Sequence, residues 1–530
     1  FSLGLIYWKN SDFKKSFQLF TLASNKNNAK AHLYVGVFYL KGILGMKDIS
    51  KCIHYFTLSA KQNCPEAFFD LSLIYLKGKY DQQDVQKGIY YLQQAANFNI
   101  PDALTNLGLY LCEGVYVPQD INKGFYYMQQ AANQNYPEAQ YNLGNFYLKG
   151  EYCSIDIKKA IYYYTLAANN NFIDAQFMLG FIYYDENKGI CDIDKSIYYF
   201  SIAADKNHKE AQFYLALIYS KGRYITPNIQ KAITYFTLAA NNNHIYSQYI
   251  LGSIYYDGKY MAPNYELAIK YLTLAANQND PQAQCKLGYI YIKNKRSLCD
   301  IEKGIQYLEF SAKQNFADAL CMLGDIYLEG KHVKCDVDKA VHYFHLAACQ
   351  NDQNAQIKLG IIYYSEKYGI KNIDKSFYYF SLPSNQNHPY AQYYLGLIYF
   401  NKNDIPKSIN YFELAAKQGL RDAEYSLGVF YYKGYYTRRD IEKTIYYFTL
   451  AADKNLLEAQ YTLGCIYYEG IIVPQDYEKS IYYLQLSAKR DDGSSYFLLG
   501  NIYSNKNDYD KGIYYLTLAA NKNIKESQYY

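Results

Sequence analysis

PEAQYNLGNFYLKGEYCSIDIKKAIYYYTLAANNN, residues 137–171, recurs with changes from one end of the chain to the other. Gly144 of its Leu-Gly pair marks the register. Equivalent positions are Gly4, Gly36, Ser72, Gly108, Gly180, Ala216, Gly252, Gly288, Gly324, Gly360, Gly396, Gly428, Gly464 and Gly500. Every step from Gly36 to Gly396 is 36 residues, and two steps, Gly4 to Gly36 and Gly396 to Gly428, are 32. A fixed period of this size is the mark of a solenoid, in which each repeat buries its apolar face only against its neighbours. The expectation is one continuous array over residues 1–530. The chain opens at Phe1 in mid-helix and closes at Tyr530 in the first turn of another, so the array reads as cut within a repeat at both ends.

Within a repeat, a small residue stands five before the marker, as at Ala139, and is Ala or Ser in the other repeats that show it, from Ala31 to Ser527. Leu143 precedes the marker and Tyr147 follows three later; only Leu111 breaks that Tyr column. These spacings line one face of a first helix, helix A. Pro65, Pro101, Pro137, Pro281 and Pro389 fall in its first turn, where a missing N–H is free of cost, and Gly114, Gly150, Gly222, Gly258, Gly330, Gly434 and Gly470 close it as left-handed caps. All fifteen repeats then show Asp or Asn, Asp156 here, reading as the N-cap of a second helix, helix B. Helix B carries Ala160, Ile161, Tyr163, Tyr164, Leu166, Ala167 and Ala168. The small pair at its end and the marker glycine let the two helices approach closely. Three repeats, Tyr7–Lys15, Tyr399–Lys407 and Tyr503–Lys511, lack four residues between the helices and should turn tightly. Pro383-Ser384 replaces the Ala-Ala pair and is expected to end or kink its helix. The stretch Arg490–Ser495 is expected to loosen the next junction.

Half the residues are hydrophobic, ample for a continuous core, and the formal net charge of +5 is spread along the chain. No concentrated basic stripe marks a nucleic-acid surface, and no segment approaches the roughly 18 apolar residues of a membrane helix. Eleven cysteines form no CxxC pair, and no Asn-x-Ser/Thr sequon occurs. Equal positions such as Cys285 with Cys321, or Cys299 with Cys335, should lie about 10 Å apart, too far for a disulfide. A reducing compartment, hence the cytoplasm, is the expectation.

The pattern resembles the Sel-1-like repeat, a relative of the tetratricopeptide repeat with outline A-x-A-Q-x-x-L-G-x-x-Y-x-x-G … D-x-x-K-A-x-x-Y-x-x-A-A. Pro137 to Ala168 is similar to it almost residue for residue, and the likeness spans essentially the whole chain. The resemblance implies an all-α, right-handed superhelical α-solenoid of about fifteen antiparallel helix pairs, with helix A on the inner surface. It also implies an adaptor for protein complexes. Family members act in secretory quality control, cell-wall regulation and signalling, and in some protists similar arrays follow a kinase domain.

Carrying the relatives' inner-surface positions onto this chain selects three columns of helix A. Six before the marker the column is largely acidic, with Glu66, Asp102, Glu138, Asp174, Glu210, Asp318, Asp422 and Glu458. Three before it is largely aromatic, with Phe69, Tyr141, Phe177, Phe213, Tyr249, Tyr393, Tyr425, Tyr461 and Phe497. Four after it are Leu76, Leu148, Tyr184 and their counterparts. An aromatic floor with an acidic rim suits an extended or helical peptide carrying basic residues. First-turn acids also favour the helix dipole whatever the function. One cluster has metal-ligand chemistry: His342, His345 and Cys349, with His332 and Cys335 just before. Its equivalents elsewhere are Tyr, Thr, Gln and Asn, a solvent-facing column, so neither a metal nor a cofactor is expected. No P-loop, G-x-S-x-G, H-E-x-x-H, G-x-G-x-x-G or kinase signature is present in the sequence.

The sequence therefore reads as a non-enzymatic, monomeric scaffold that binds protein or peptide partners along helix A. The alternatives are the targeting arm of a signalling enzyme, for example a protein kinase, whose catalytic domain lies outside this chain, and a secretory quality-control adaptor.

Overall fold

The computed structural model describes residues 1–77, 83–222, 225–293, 300–435 and 439–522; Cys299 and Ser527 lie outside them. The regular structure of the described residues is helical, without strands. The chain falls into two compact units, Phe1–Ala275 and Ala276–Tyr530, and each is a solenoid of paired helices. In the opening stretch helix A is Pro137–Lys149 and helix B is Ile157–Asn169, thirteen residues each.

The boundaries follow from the columns already named. Pro101, Pro137 and Pro389 sit at the start of their helices. Gly114, Gly150, Gly222, Gly258, Gly330, Gly434 and Gly470 all adopt the left-handed conformation expected of C-caps. Every Asp or Asn of the capping column accepts from the backbone N–H three residues on; for Asp156 and Lys159 the distance is 3.0 Å and for Asn264 and Leu267 it is 3.0 Å. Capping is therefore the work of the whole acidic column at the head of helix B, at about 1 kcal/mol apiece.

One boundary signal went unread in the sequence. Helix B is closed in most repeats by an asparagine 27 residues after the marker, with φ of 56° at Asn135 and 63° at Asn171 and Asn207. Asparagine is the non-glycine residue that best tolerates this region. The three shortened repeats turn through Ser11, Asn403 and Asn507, again left-handed, as their tight connections require.

Two expected irregularities are absent. Helix Ile373–Ser384 runs through Pro383 and stops at the same register as Val337–Ala348, which has no proline. Pro383 lies in the last turn, so only one helical bond is lost, and its carbonyl accepts from the N–H groups of Gln386 and His388 at 3.1 and 3.0 Å. The junction at Arg490–Ser495 is likewise ordered. Asp491 takes the left-handed position at φ 66°, and Asp492 caps helix Gly493–Asn505 through the Ser495 N–H at 3.0 Å.

Packing within a repeat turns on the marker. A Cβ at Gly144 would lie 2.7 Å from the Tyr164 ring, closer than any side chain tolerates. Tyr147 of helix A and Tyr163 of helix B stack with centroids 5.8 Å apart and planes within 1°, and Lys159 Nζ lies 5.0 Å from the Tyr147 centroid. The same stacked pair occurs at Tyr183–Tyr199, Tyr219–Tyr235, Tyr291–Tyr307 and Tyr431–Tyr447, each with its lysine.

Packing between repeats turns on the glutamine four before the marker. Buried Gln140 Nε2 donates to Ala132 O of the preceding repeat at 3.0 Å, and its Oε1 accepts at 3.3 Å from Nδ2 of Asn170, just past helix B of its own repeat. Gln176, Gln212 and Gln284 repeat the arrangement. The bond satisfies a helix-terminal carbonyl that burial would otherwise strand.

Candidate partner-binding surface

The A helices of neighbouring repeats touch directly, as Pro101–Glu113 does Pro137–Lys149 and Ile173–Tyr184 does Lys209–Lys221. The first turns of these helices carry the acidic column. Glu138 and Asp174 are exposed and Glu210 is half-exposed. The aromatic column lies one turn further along the same helices.

All seven aromatic candidates, Tyr141, Phe177, Phe213, Tyr249, Tyr393, Tyr425 and Tyr461, are half-buried. Each of the first three is wedged between helix B of its own repeat and the residue preceding the next helix A. The Tyr141 centroid is 5.7 Å from Tyr164 and 5.2 Å from Phe172. Phe177 lies 5.7 Å from Phe200 and 4.6 Å from His208. Phe213 lies 6.2 Å from Phe236 and 4.6 Å from His244. Tyr393 and Tyr425 pack on Phe412 and Phe448. These rings thus close the inter-repeat seam with one part and face solvent with the other. Leu76 departs from its column: it is only 3% exposed, because Gly88 opposite leaves room for it to sink into the helix pair.

In two repeats the residue 28 after the marker, in a column whose identity varies, bridges the acids of adjoining repeats. Tyr136 hydroxyl donates to Asp102 Oδ1 at 2.6 Å and reaches Glu138 Oε2 at 3.2 Å. Burial and then the bond to Asp102 push this phenol far above its ordinary value. Two repeats on, His208 Nε2 lies 3.5 Å from Asp174 Oδ1 and its Nδ1 lies 3.6 Å from Glu210 Oε2. The only sequence signal for this column was its position just ahead of each helix A.

His342, His345 and Cys349 are all exposed. Cys349 Sγ is 3.6 Å from His345 Nδ1, whereas the His342 ring packs beside Tyr343, 5.7 Å between centroids. Cys349 caps the helix with helical dihedrals, and no three His, Cys, Asp or Glu among the described residues are arranged to hold a metal. The ten described cysteines are free thiols. Burial raises Cys285 to about 12, and burial followed by the nearby Asp352 carboxylate holds Cys321 well above the usual thiol range. Neither is activated as a nucleophile. Among the described residues no helix is long and apolar enough to cross a membrane.

The chain belongs to the Sel1 repeat family, which matches it in fifteen consecutive segments from residues 3–28 to 494–524. No curated protein is recognisably similar in sequence. Among solved structures, c5321, a protective antigen of uropathogenic Escherichia coli strains displaying an SLR fold, is 22% identical. It aligns over 90% of this chain and 97% of its own with a TM-score of 0.66. A Sel1 repeat protein from Oxalobacter formigenes is 26% identical over 58% of this chain and 90% of its own, with a TM-score of 0.50. These likenesses establish the repeat solenoid.

Proposed function

We propose that the chain is a protein-interaction scaffold whose A-helix face holds a partner segment rich in basic residues. The observation that carries this reading is the run of five carboxylates, Glu66, Asp102, Glu138, Asp174 and Glu210, in the first turns of five successive A helices, beside the part-exposed aromatic edges of Phe69, Tyr141, Phe177 and Phe213. Each repeat contributes a small, similar patch, so binding strength accrues by multivalency along the stack. Exposed carboxylates steer a cationic partner and fix its register, while the ring edges supply apolar area.

The capping Asp column takes no part, because each member is engaged at a helix N-terminus. The test is a peptide display selection against the intact chain and a variant with Glu66, Glu138 and Glu210 as Gln and Asp102 and Asp174 as Asn. The expected result is enrichment of Arg- and Lys-bearing peptides by the first and loss of that enrichment by the second. Equal enrichment by both would place binding elsewhere. The acids make the cleaner probe, since truncating Phe177 or Tyr141 would also open the inter-repeat seam.

A further inference from the structure

We propose that His208 is a proton-operated switch that sets the charge the Asp174–Glu210 pair presents on the A-helix face. Two roles compete for one nitrogen. His208 Nδ1 accepts the Ala211 N–H at 3.2 Å and so caps the helix Lys209–Lys221. The same Nδ1 lies 3.6 Å from Glu210 Oε2, while Nε2 lies 3.5 Å from Asp174 Oδ1.

A neutral ring with its proton on Nε2 keeps the cap and points its N–H at Asp174, leaving the Nδ1 lone pair against the Glu210 carboxylate. A doubly protonated ring carries donors on both sides and no acceptor. It loses the Ala211 cap and spans both carboxylates. The cap and the ionic bridge exclude each other, and the exchange takes the pair with its bridge from a net charge of minus two to minus one. Imidazole is the side chain suited to make this change between pH 5 and 8. The ring cannot swing away freely: its side chain is 15% exposed and it stacks on Phe177 at 4.6 Å, with planes 22° apart.

The groups facing His208 come from each packed element. Asp174 belongs to the preceding helix A, and Lys209 and Glu210 to its own, with Lys209 Nζ 4.0 Å from Glu210 Oε1. Lys206, after the intervening helix B, is held by Asn171 Oδ1 and Gln176 Oε1 at 3.1 and 3.4 Å. His244, one repeat on, shares the influence of Glu210, but its Nδ1 is engaged by Ser247 N–H and Oγ at 3.2 and 2.8 Å. The fold supplies its own control. At the equivalent position of an earlier repeat the Tyr136 hydroxyl spans Asp102 and Glu138 without gaining a charge.

The consequence for binding rests on the reading that the A-helix face takes a basic partner: acidification closes the Asp174–Glu210 patch while leaving the Asp102–Glu138 patch open. The experiment has two arms on the full chain. In the first, histidine labelled at Cε1 is followed by NMR from pH 8 to 5, with the His208 signal identified by its loss in His208→Tyr and in His208→Gln. The Ala211 amide, labelled alongside, should shift together with the His208 signal as its Nδ1 acceptor is lost; an Ala211 amide that does not follow the ring overturns the switch. In the second, a fluorescein-labelled penta-arginine peptide is titrated by anisotropy at pH 7.5 and 5.5. The wild type should lose about fivefold more affinity on acidification than His208→Tyr, as expected for one charge at short range near the surface. Equal losses overturn the gating. Absence of binding at either pH overturns the basic-partner reading, with the first arm still deciding the switch.

Discussion

Lys159 Nζ lies 5.0 Å from the centre of the Tyr147 ring and 3.9 Å from Asp156 Oδ2, so one ammonium ties the cap of helix B to an aromatic ring of helix A. Lys159 is largely exposed, which keeps the ionic part of this tie small. Lys159→Met is expected to cost less than about 1 kcal/mol, whereas Tyr147→Ala, which also removes the stack on Tyr163, should cost about 3 kcal/mol. A double-mutant cycle read by urea unfolding checks the lysine–ring coupling, expected at about 0.5–1 kcal/mol.

Two glycines should respond to alanine for different reasons. At Gly144 the new methyl meets the Tyr164 ring at 2.7 Å, an overpacking of about 1–3 kcal/mol. At Gly189, φ is 71° and nothing lies within 4 Å of the added carbon, so the cost is the left-handed backbone alone, about 1 kcal/mol. Gly189→Asn should recover most of that loss and Gly144→Asn none of it, as measured by thermal melting.

Glu424 stands where other repeats have the bridging glutamine. Its side chain is 2% exposed and pairs with Lys454 Nζ at 2.5 Å, itself 38% exposed. Lys454→Met leaves a buried carboxylate without its cation and is expected to cost about 2 kcal/mol. Glu424→Gln restores the residue of the column and should be close to neutral in the wild type, and in Lys454→Met it should recover most of the loss. Chemical denaturation of the four variants tests this.

Two groups in the same compact unit should shift stability in opposite directions with pH. Burial, then the neighbouring Glu66 carboxylate, raises Asp70 from 3.8 to about 6. The folded state therefore holds that proton more tightly than the unfolded state, and a destabilisation present above pH 6 is relieved as pH falls toward 4. Asp70→Asn should stabilise by about 2 kcal/mol at pH 7.5 and by little at pH 4. Burial lowers His244 below its ordinary 6.5; folding then favours the neutral ring, and that contribution is intact above 6.5 and lost as pH falls below it. His244→Gln should flatten the loss of melting temperature between pH 7 and 5.

The fold was legible because its information is repeated. One reading of Gly144, Tyr147, Asp156 and Tyr163 is checked fourteen more times down the chain, and proline and glycine punctuate both ends of helix A. What escaped notice were side chains whose role depends on a neighbour one repeat away. Gln140 reads as polar and ordinary until Ala132 O and Asn170 are placed beside it. His208 and Tyr136 look unrelated as letters, yet each bridges an acid of its own repeat to one in the repeat ahead. The expected disruptions at Pro383 and Arg490–Ser495 failed because local signals were read without the backbone groups that absorb them. The aromatic column was located correctly on helix A, but a linear column cannot show that half of each ring is spent on the seam.

The buried glutamine amide has a mechanical consequence. Gln140 grips a carbonyl of the repeat behind and is gripped by an asparagine that closes its own repeat, so the two bonds survive together only while the two repeats stay joined. Drawn apart along its length, such a stack resists as a ratchet does, holding until one tooth slips and then yielding a whole repeat. Each slip releases 36 residues of slack, or 32 where the connection is short, so a force trace would carry two step sizes in the order in which the chain spells them.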